Sequence, residues 1–408
     1  MMKKSILLAV LSVFSFVAMA QDHRRTDFVP RSQAGFKAEY YAITDLGPIS
    51  PVGVNLFGEV AGNLANGHAG VWLPDGGIRD LGVLPGGKMS AAAGINDFGV
   101  VAGTADGPGV LVSDWAPFSE NCKDIGQPFL WTPDEGFAKP ATIPLARYDP
   151  EYPCVQSDYA AGINVRGEVI GSNFDTETYK WAFLWRRPYG DHLIIAPLQD
   201  DAYQSSAHGI NNEGTVVGQY GAWAELFVIS HAVVWKDGVL TDIGSLGGDA
   251  ADWSACSGAN SINDAGEVAG WSSPAGVPRC DVIKEGHGSV HAFVWKAGGG
   301  MQDLGTLPGY TSSVAVKVNL NGEVIGTSGD KAGFGKGYDE YSVEVTGEPF
   351  LWTEAKGLHN LNDMIEPGSG WVLNRATDIN VLGQIVGTGT KQGKVHGYML
   401  TPQFADGN

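Results

Sequence analysis

Asn55-Leu56-Phe57-Gly58-Glu59-Val60-Ala61-Gly62 is the first of seven segments with the pattern Asn-x-x-Gly-x-(Val/Ile)-x-Gly, each preceded by Val or Ile. The others start at Asn96, Asn164, Asn211, Asn263, Asn319 and Asn380, 41 to 68 residues apart. Recurrence at such a period marks a repeat architecture. Asn at the first and Gly at the fourth place is the composition of a type I turn, and a Gly of positive φ there makes the bulge of a short hairpin. The pattern predicts two antiparallel strands, A and B, joined tightly seven times.

Two further elements complete the unit. An apolar segment follows each copy at 68–72, 127–131, 181–185, 231–235, 291–295, 348–352 and 396–400, ending in Trp in all but the last. This is strand C. Asp80-Leu81-Gly82, Ile143-Pro144, Ala196-Pro197-Leu198, Asp242-Ile243-Gly244, Asp303-Leu304-Gly305 and Asn360-Leu361-Asn362 then mark strand D. A seventh D, Ile43-Thr44-Asp45-Leu46-Gly47, precedes the first turn, while the last repeat has none after it. Radial repetition of four-stranded units leaves few unprotected edges, so the fold expected is an all-β, seven-bladed β-propeller. Its ring closes when the N-terminal strand at about 41–46 pairs with C-terminal strands at about 374–400.

Composition agrees. Glycine, 58 of 408 residues, is roughly twice its usual share, and 14 of those glycines belong to the seven turn motifs. Hydrophobic residues at 43% and charged residues at 17% provide a core and exclude wholesale disorder. Lys+Arg 26 against Asp+Glu 45 gives a net charge of −19, the wrong sign for neutralising phosphates. Nucleic acid is excluded as a partner.

Lys3 and Lys4, the apolar run from Ile6 to Val17 and Ala18-Met19-Ala20 fit the three regions of a secretory signal peptide. Cleavage after Ala20, a flexible segment over 21–39, a propeller over 40–402 and a tail over 403–408 are expected. No later stretch approaches the ~20 apolar residues of a membrane span, so a monomer without membrane insertion, periplasmic or extracellular, is expected.

His-Ala-Phe-Val-Trp at 291–295, Asp-Leu-Gly-Thr-Leu at 303–307 and the turn motifs together resemble the HAF-repeat family of predicted extracellular bacterial repeat proteins. The resemblance covers about 41–400 and implies a repeat fold and export. His-Ala is replaced by Gln-Pro at 127–128 and by Glu-Pro at 348–349.

Strand parity separates two faces. A–B and C–D turns share one, and there every A–B turn is the same Asn-x-x-Gly. The other receives the long B–C segments (104–126, 219–230, 271–290, 327–347) and D–A segments (145–158, 247–258, 362–373). Loops on a rigid scaffold are where binding residues concentrate. Cys122, Cys154, Cys256 and Cys280 all fall there. Four cysteines allow three pairings; proximity in the chain favours Cys122–Cys154 and Cys256–Cys280.

Trp115, Trp223, Trp253, Trp271 and Trp371 also fall in or beside these segments, as candidates to stack on sugar rings or anchor a partner. Folding back into small cores under the loops is the competing reading. The loop acids Asp200, Asp201, Asp249, Asp252, Asp281, Glu285, Asp339 and Glu340 could hold Ca²⁺ or supply paired carboxylates, but no motif accompanies them. His68, His231, His291 and His396, with Asp45, Asp80, Asp242 and Asp303, recur too often to form one site and read as structural. No His-Glu-x-x-His, Gly-x-Ser-x-Gly or P-loop is present, and no catalytic residue, metal ligand or cofactor is assigned. An exported binding or scaffold protein for an extracellular glycan or protein is expected. The alternatives are a carbohydrate-active enzyme with carboxylates near the channel, and a structural envelope protein without a ligand.

Overall fold

At Asn96 the turn chemistry is visible atom by atom. The Gly99 amide donates to the Asn96 carbonyl at 3.0 Å, and the Asn96 amide to Val100 O at 3.0 Å. The Asn96 side-chain oxygen accepts from Phe98 N at 3.0 Å and Val100 N at 3.1 Å. Gly99 has φ 71°, and the fourth residue of the other six motifs lies between 74° and 81°, a conformation that costs glycine nothing sterically. All seven turns are alike.

The computed structural model describes residues 40–106, 126–138, 157–174, 180–186, 191–195, 204–224, 227–247, 255–275, 289–334 and 343–403. They form seven four-stranded antiparallel blades of a β-propeller. Strand β1 (Tyr40–Gly47) belongs to the last blade. Blade 1 is β2 (Ile49–Val54), β3 (Val60–Leu64), β4 (Ala69–Leu73) and β5 (Gly77–Gly82). Blade 2 is β6 (Ser90–Ile95), β7 (Val101–Ala105), β8 (Gln127–Thr132) and β9 (Gly136–Ala138). Blade 3 is β10 (Ser157–Ile163), β11 (Val169–Phe174), β12 (Lys180–Arg186) and β13 (Asp191–Ile195). Blade 4 is β14 (Gln204–Ile210), β15 (Val216–Ala224), β16 (Phe227–Lys236) and β17 (Val239–Asp242). Blade 5 is β18 (Ser257–Ile262), β19 (Val268–Ser272), β20 (His291–Lys296) and β21 (Gly300–Gly305). Blade 6 is β22 (Ser312–Val318), β23 (Val324–Phe334), β24 (Val343–Thr353) and β25 (Gly357–Asn360). In blade 7, β26 (Trp371–Ile379), β27 (Ile385–Lys391) and β28 (Lys394–Gln403) are completed by β1, with Tyr40 opposite Gln403 and Ile43 opposite Leu400. The two ends of the chain share one sheet, as expected.

The second glycine of each motif has a different task. Every A strand carries an irregularity at one register, as between Ala92 and Gly94 in blade 2 and between Ala376 and Asp378 in blade 7. The bulge presses the A-strand carbonyl against strand B. A Cβ on Gly103 would overlap the carbonyl oxygen of Ala91 and the ring of Phe129, so only glycine fits. A strands of successive blades touch one another around the axis. Apolar layers fill the spaces between blades: Ala92, Phe129 and Trp131 pack with Val71 and Leu81 of blade 1, and Phe350 and Trp352 with Val294 and Leu304 of blade 5.

Three details differ from expectation. Strand D of blades 2 and 3 is β9 and β13, earlier than 143–144 and 196–198, which lie outside the described residues. Gly136, at φ 73°, turns the chain back as soon as strand C ends. The B–C segments at 219–230 and 327–347 are in large part not loops but continuations of β15, β16, β23 and β24. In β24 the reason is legible: Val343 is buried, Glu344 and Thr346 are exposed, and Val345 lies between these extremes, the alternation of a half-buried strand.

Candidate functional site

The motif asparagines do more than shape their own turns. Each side-chain amide donates to the backbone oxygen of the motif Asn in the next blade: Asn55 to Asn96 at 3.2 Å, Asn96 to Asn164 at 3.1 Å, and Asn164 to Asn211 at 3.0 Å. The chain of bonds continues from Asn211 to Asn263 at 3.2 Å, Asn263 to Asn319 at 2.8 Å, and Asn319 to Asn380 at 3.0 Å. Asn380 donates to Asn55 O at 2.9 Å and closes the circle. All seven asparagines are buried. The same amide also donates to Glu59, Glu168, Glu267 or Glu323 at 2.6–2.7 Å, and in blade 7 to Gln384 at 2.8 Å. Burial pushes the Glu323 carboxyl up, against the hydrogen bonds from Asn319 and Asn321. This face is fastened around its whole circumference.

The loop-side ends of the blades are fastened differently. Ser90, Ser257 and Ser313, six residues before the turn Asn, each bridge strands C and D of the preceding blade. Ser257 Oγ accepts from Ala232 N at 2.9 Å and donates to Gly244 O at 2.6 Å; Ser90 and Ser313 repeat the arrangement. Ser205 accepts from Ala182 N at 2.9 Å in the same way. Inside single blades, His68 Nδ1 lies 3.0 Å from Asp80, His231 Nδ1 2.7 Å from Asp242, His291 Nδ1 2.9 Å from Asp303, and His396 Nδ1 2.9 Å from Asp45. Each aspartate also accepts the amide of the Gly two residues on, at 2.7–2.9 Å. In blade 6, Asn360 Nδ2 donates to Glu348 Oε2 at 2.5 Å, while Asn360 Oδ1 accepts from Asn362 N. Histidine and aspartate are replaced together, and the contact survives. Burial works to raise the Asp45, Asp80 and Asp303 carboxyls, yet the glycine amides and histidines, with Lys391 for Asp45 and Asn66 for Asp80, hold all three below the usual carboxylate range. These residues build the blades, as the sequence suggests.

Trp371 is not on an open surface. It is 8% exposed, sits edge-on to His396 and Tyr398 with ring centroids 6.4 and 6.3 Å away, and has Lys391 Nζ 5.4 Å from its ring centroid. Lys391 also reaches Asp45 at 3.1 Å. Trp371 is therefore a cover over the contacts that tie β1 to blade 7. Trp271 is 0% exposed and packs with Cys256, Val290, Val314, Ala332 and Val343. The extended β23–β24 hairpin of blade 6 closes over it, which removes Trp271 from any solvent-facing aromatic surface. Trp223 lies in β15 opposite Val228; Trp115 and Trp253 lie outside the described residues. Cys256 is fully buried, and Cys122, Cys154 and Cys280 lie outside the described residues. So do the eight loop acids. Among the described residues, no group of three or more His, Cys, Asp or Glu side chains is arranged to hold a metal ion.

The A strands are unequal just past the bulge. Two residues before the turn Asn stand Gly53, Gly94, Gly162 and Gly209 in blades 1–4, but Ser261, Lys317 and Asp378 in blades 5–7. Asp378 accepts Val54 N at 2.8 Å and faces Lys317 Nζ at 3.5 Å, so both side chains span to the next blade.

No family model matches the chain, and no curated protein matches it. It is similar to solved propeller structures at low identity. A gluconolactonase from Xanthomonas campestris is 9% identical over 89% of this chain and 90% of that one, with TM-score 0.39. The WD40 β-propeller domain of Doa1 is 12% identical over 91% and 98%, with TM-score 0.39. An acylaminoacyl peptidase from Pyrococcus horikoshii is 12% identical over 85% of this chain and 51% of its own, with TM-score 0.42.

Proposed function

We propose that the protein is an exported binding or scaffold propeller of the HAF-repeat kind, which engages an extracellular glycan or protein through its long-loop face. The observation that carries this reading is the asymmetry of the disc. Seven near-identical turns joined by buried asparagines hold one face to a single design, while strand parity assigns the long, mutually different segments to the other. A rigid scaffold with variation confined to one face is the arrangement of a recognition surface. The signal-like sequence before residue 21 supports export. Cys256, buried beneath the same face, supports a Cys256–Cys280 bridge there, with Cys122–Cys154 as its counterpart.

Burial of Trp271 and Trp371 narrows the aromatic candidates to Trp115, Trp223 and Trp253. A glycan array and an envelope-extract pulldown with the mature chain test the reading, and Trp115→Ala, Trp223→Ala and Trp253→Ala in combination are expected to abolish the captured signal. Capture unchanged in the triple variant would falsify the assignment of these aromatics. Peptide mapping under non-reducing conditions is expected to recover the two bridges.

A further inference from the structure

The face of the A–B turns carries a surface of its own. Because each turn Asn is bonded to the next, the seven A–B turns are neighbours in blade order around the axis. Their two central residues in blades 6, 7, 1 and 2 include Leu320, Val381, Leu382, Leu56, Phe57 and Phe98, with Asn321 and Asp97 as the polar members. Phe98 is 55% exposed and Leu320 51%; the other four apolar residues are half-buried. Blades 3, 4 and 5 place Val165 and Arg166, Asn212 and Glu213, and Asp264 and Ala265 at the same positions, with no large apolar side chain beyond Val165.

The turn itself does not ask for apolar residues. Arg166 N and Glu213 N donate to their asparagine side chains at 3.0 and 3.1 Å, as Phe98 N does at 3.0 Å. The same backbone is made with either chemistry, so the apolar sector is surplus to folding. Contiguous exposed apolar residues with a polar rim mark interaction sites. On blades 1 and 2 that rim is acidic, with Asp75, Asp134 and Glu135 exposed on the adjoining C–D turns, while the C–D turn of blade 6 exposes Glu354 and Lys356, so acids outnumber Lys356 four to one on these turns. The nearby cation Arg79 is drawn over the Trp131 ring at 4.7 Å. A second copy of a chain with net charge −19 would be repelled from this rim. The complement is basic.

We infer that the turn-face sector of blades 6, 7, 1 and 2 docks a protein segment in which an apolar anchor is flanked by Lys or Arg. This surface is separate from the loop face and does not rest on what that face binds. The test titrates the mature full chain with two fluorescein-labelled peptides that share one Phe and three Leu, one carrying four Lys and the other four Glu, read by fluorescence anisotropy. The Lys peptide is expected to bind at least ten-fold more tightly than the Glu peptide. Phe98→Ser with Leu320→Ser is expected to weaken it at least ten-fold, while Arg166→Ser with Glu213→Ser changes it less than two-fold. Asp134→Lys with Glu135→Lys leaves the apolar residues in place and is expected to weaken the Lys peptide at least three-fold, so a folding defect in one variant does not remove the test. Equal binding of the two peptides, no binding of either, or full binding by the Phe98/Leu320 variant overturns the inference. A wild-type dimer in sedimentation that this variant converts to monomer overturns it too, in favour of self-association.

Discussion

The turn face and the loop-side ends of the blades are both held by repeated polar contacts, yet the two sets differ in what they connect. Asparagine side chains at the turns bridge one blade to the next and are present in all seven repeats. The His–Asp pairs lie within a blade and, among the described residues, occur in four, with a Glu–Asn pair standing in for a fifth. A bond between blades must match two neighbours at once, so one altered residue breaks the continuity of the circle. A contact within a blade can be rebuilt by changing its two members together. Position in the assembly, more than bond strength, separates the invariant set from the variable one.

Several substitutions would break or sharpen this contrast. The largest effect is expected from Asn263→Ala, which removes the bonds to Asn319 O and Glu267 and strips the acceptor from Ala265 N and Glu267 N. Buried groups left without partners cost about 1–3 kcal/mol each, so a loss of roughly 4 kcal/mol is expected in chemical denaturation. A loss below about 1 kcal/mol would show the circle to be ornamental. Next comes His231→Ala in the most buried pair, which leaves Asp242 with the Tyr220 hydroxyl at 3.0 Å and the Gly244 amide at 2.7 Å; about 2–3 kcal/mol is expected from the same measurement.

Acid should act on the loop side first. The folded-state carboxyls of Asp45, Asp80 and Asp303 are lowered, so the stability they contribute is complete above the unfolded aspartate value of about 3.9. It is lost as pH falls below that value through the folded ones. Asp45→Asn, with about 1 kcal/mol of cost at neutral pH, is expected to flatten part of the acid limb of a Tm-against-pH curve. An unchanged limb would remove Asp45 from the account. The exchange seen in blade 6 suggests a repair in blade 5: His291→Glu alone sets a carboxylate against Asp303, and Asp303→Asn added to it is expected to recover about 1 kcal/mol. Thermal melts of the single and double variants measure the coupling.

The smallest effect concerns the turn face. Burial raises the Glu323 carboxyl, so its ionisation opposes folding as pH rises through the unfolded glutamate value of about 4.3. Gln384 fills the equivalent place in blade 7 and still accepts from its asparagine. Glu323→Gln should therefore be neutral or stabilising by a few tenths of a kcal/mol at pH 7. Destabilisation in the melt would mean the charge itself is required.

Much of the architecture was legible in the residues. The Asn-x-x-Gly spacing specifies the turn, its glycine specifies a positive φ, and the unmatched Asp-Leu-Gly at 45–47 specifies closure by the chain ends, because each follows from local backbone chemistry. The amide circle was not legible. Its partners lie up to 68 residues apart in successive repeats and 325 apart where Asn380 meets Asn55, and a side chain that already satisfies its own turn gives no sign of a second bond. Ser90, Ser205, Ser257 and Ser313 escaped notice for the same reason: a small hydroxyl before a strand has many local uses, and its real partners belong to the previous blade. Trp271 and Trp371 were ambiguous because an aromatic beside a loop reads alike whether it faces water or a core. Whether the neighbouring hairpin folds over it depends on tertiary packing.

Closure has a consequence for the order of events in folding. Strand β1 precedes the other described strands in the chain, but its sheet partner among the described residues, β28, ends at Gln403. Bringing ends so distant together is entropically costly, and long-range pairing of this kind slows folding. Blades 1 to 6 each draw their four strands from one contiguous stretch of chain, whereas the circle of asparagines, the cover of Trp371 and the pairing of β1 all wait on residues 371–403. The strand that precedes those six blades in the chain is placed after them.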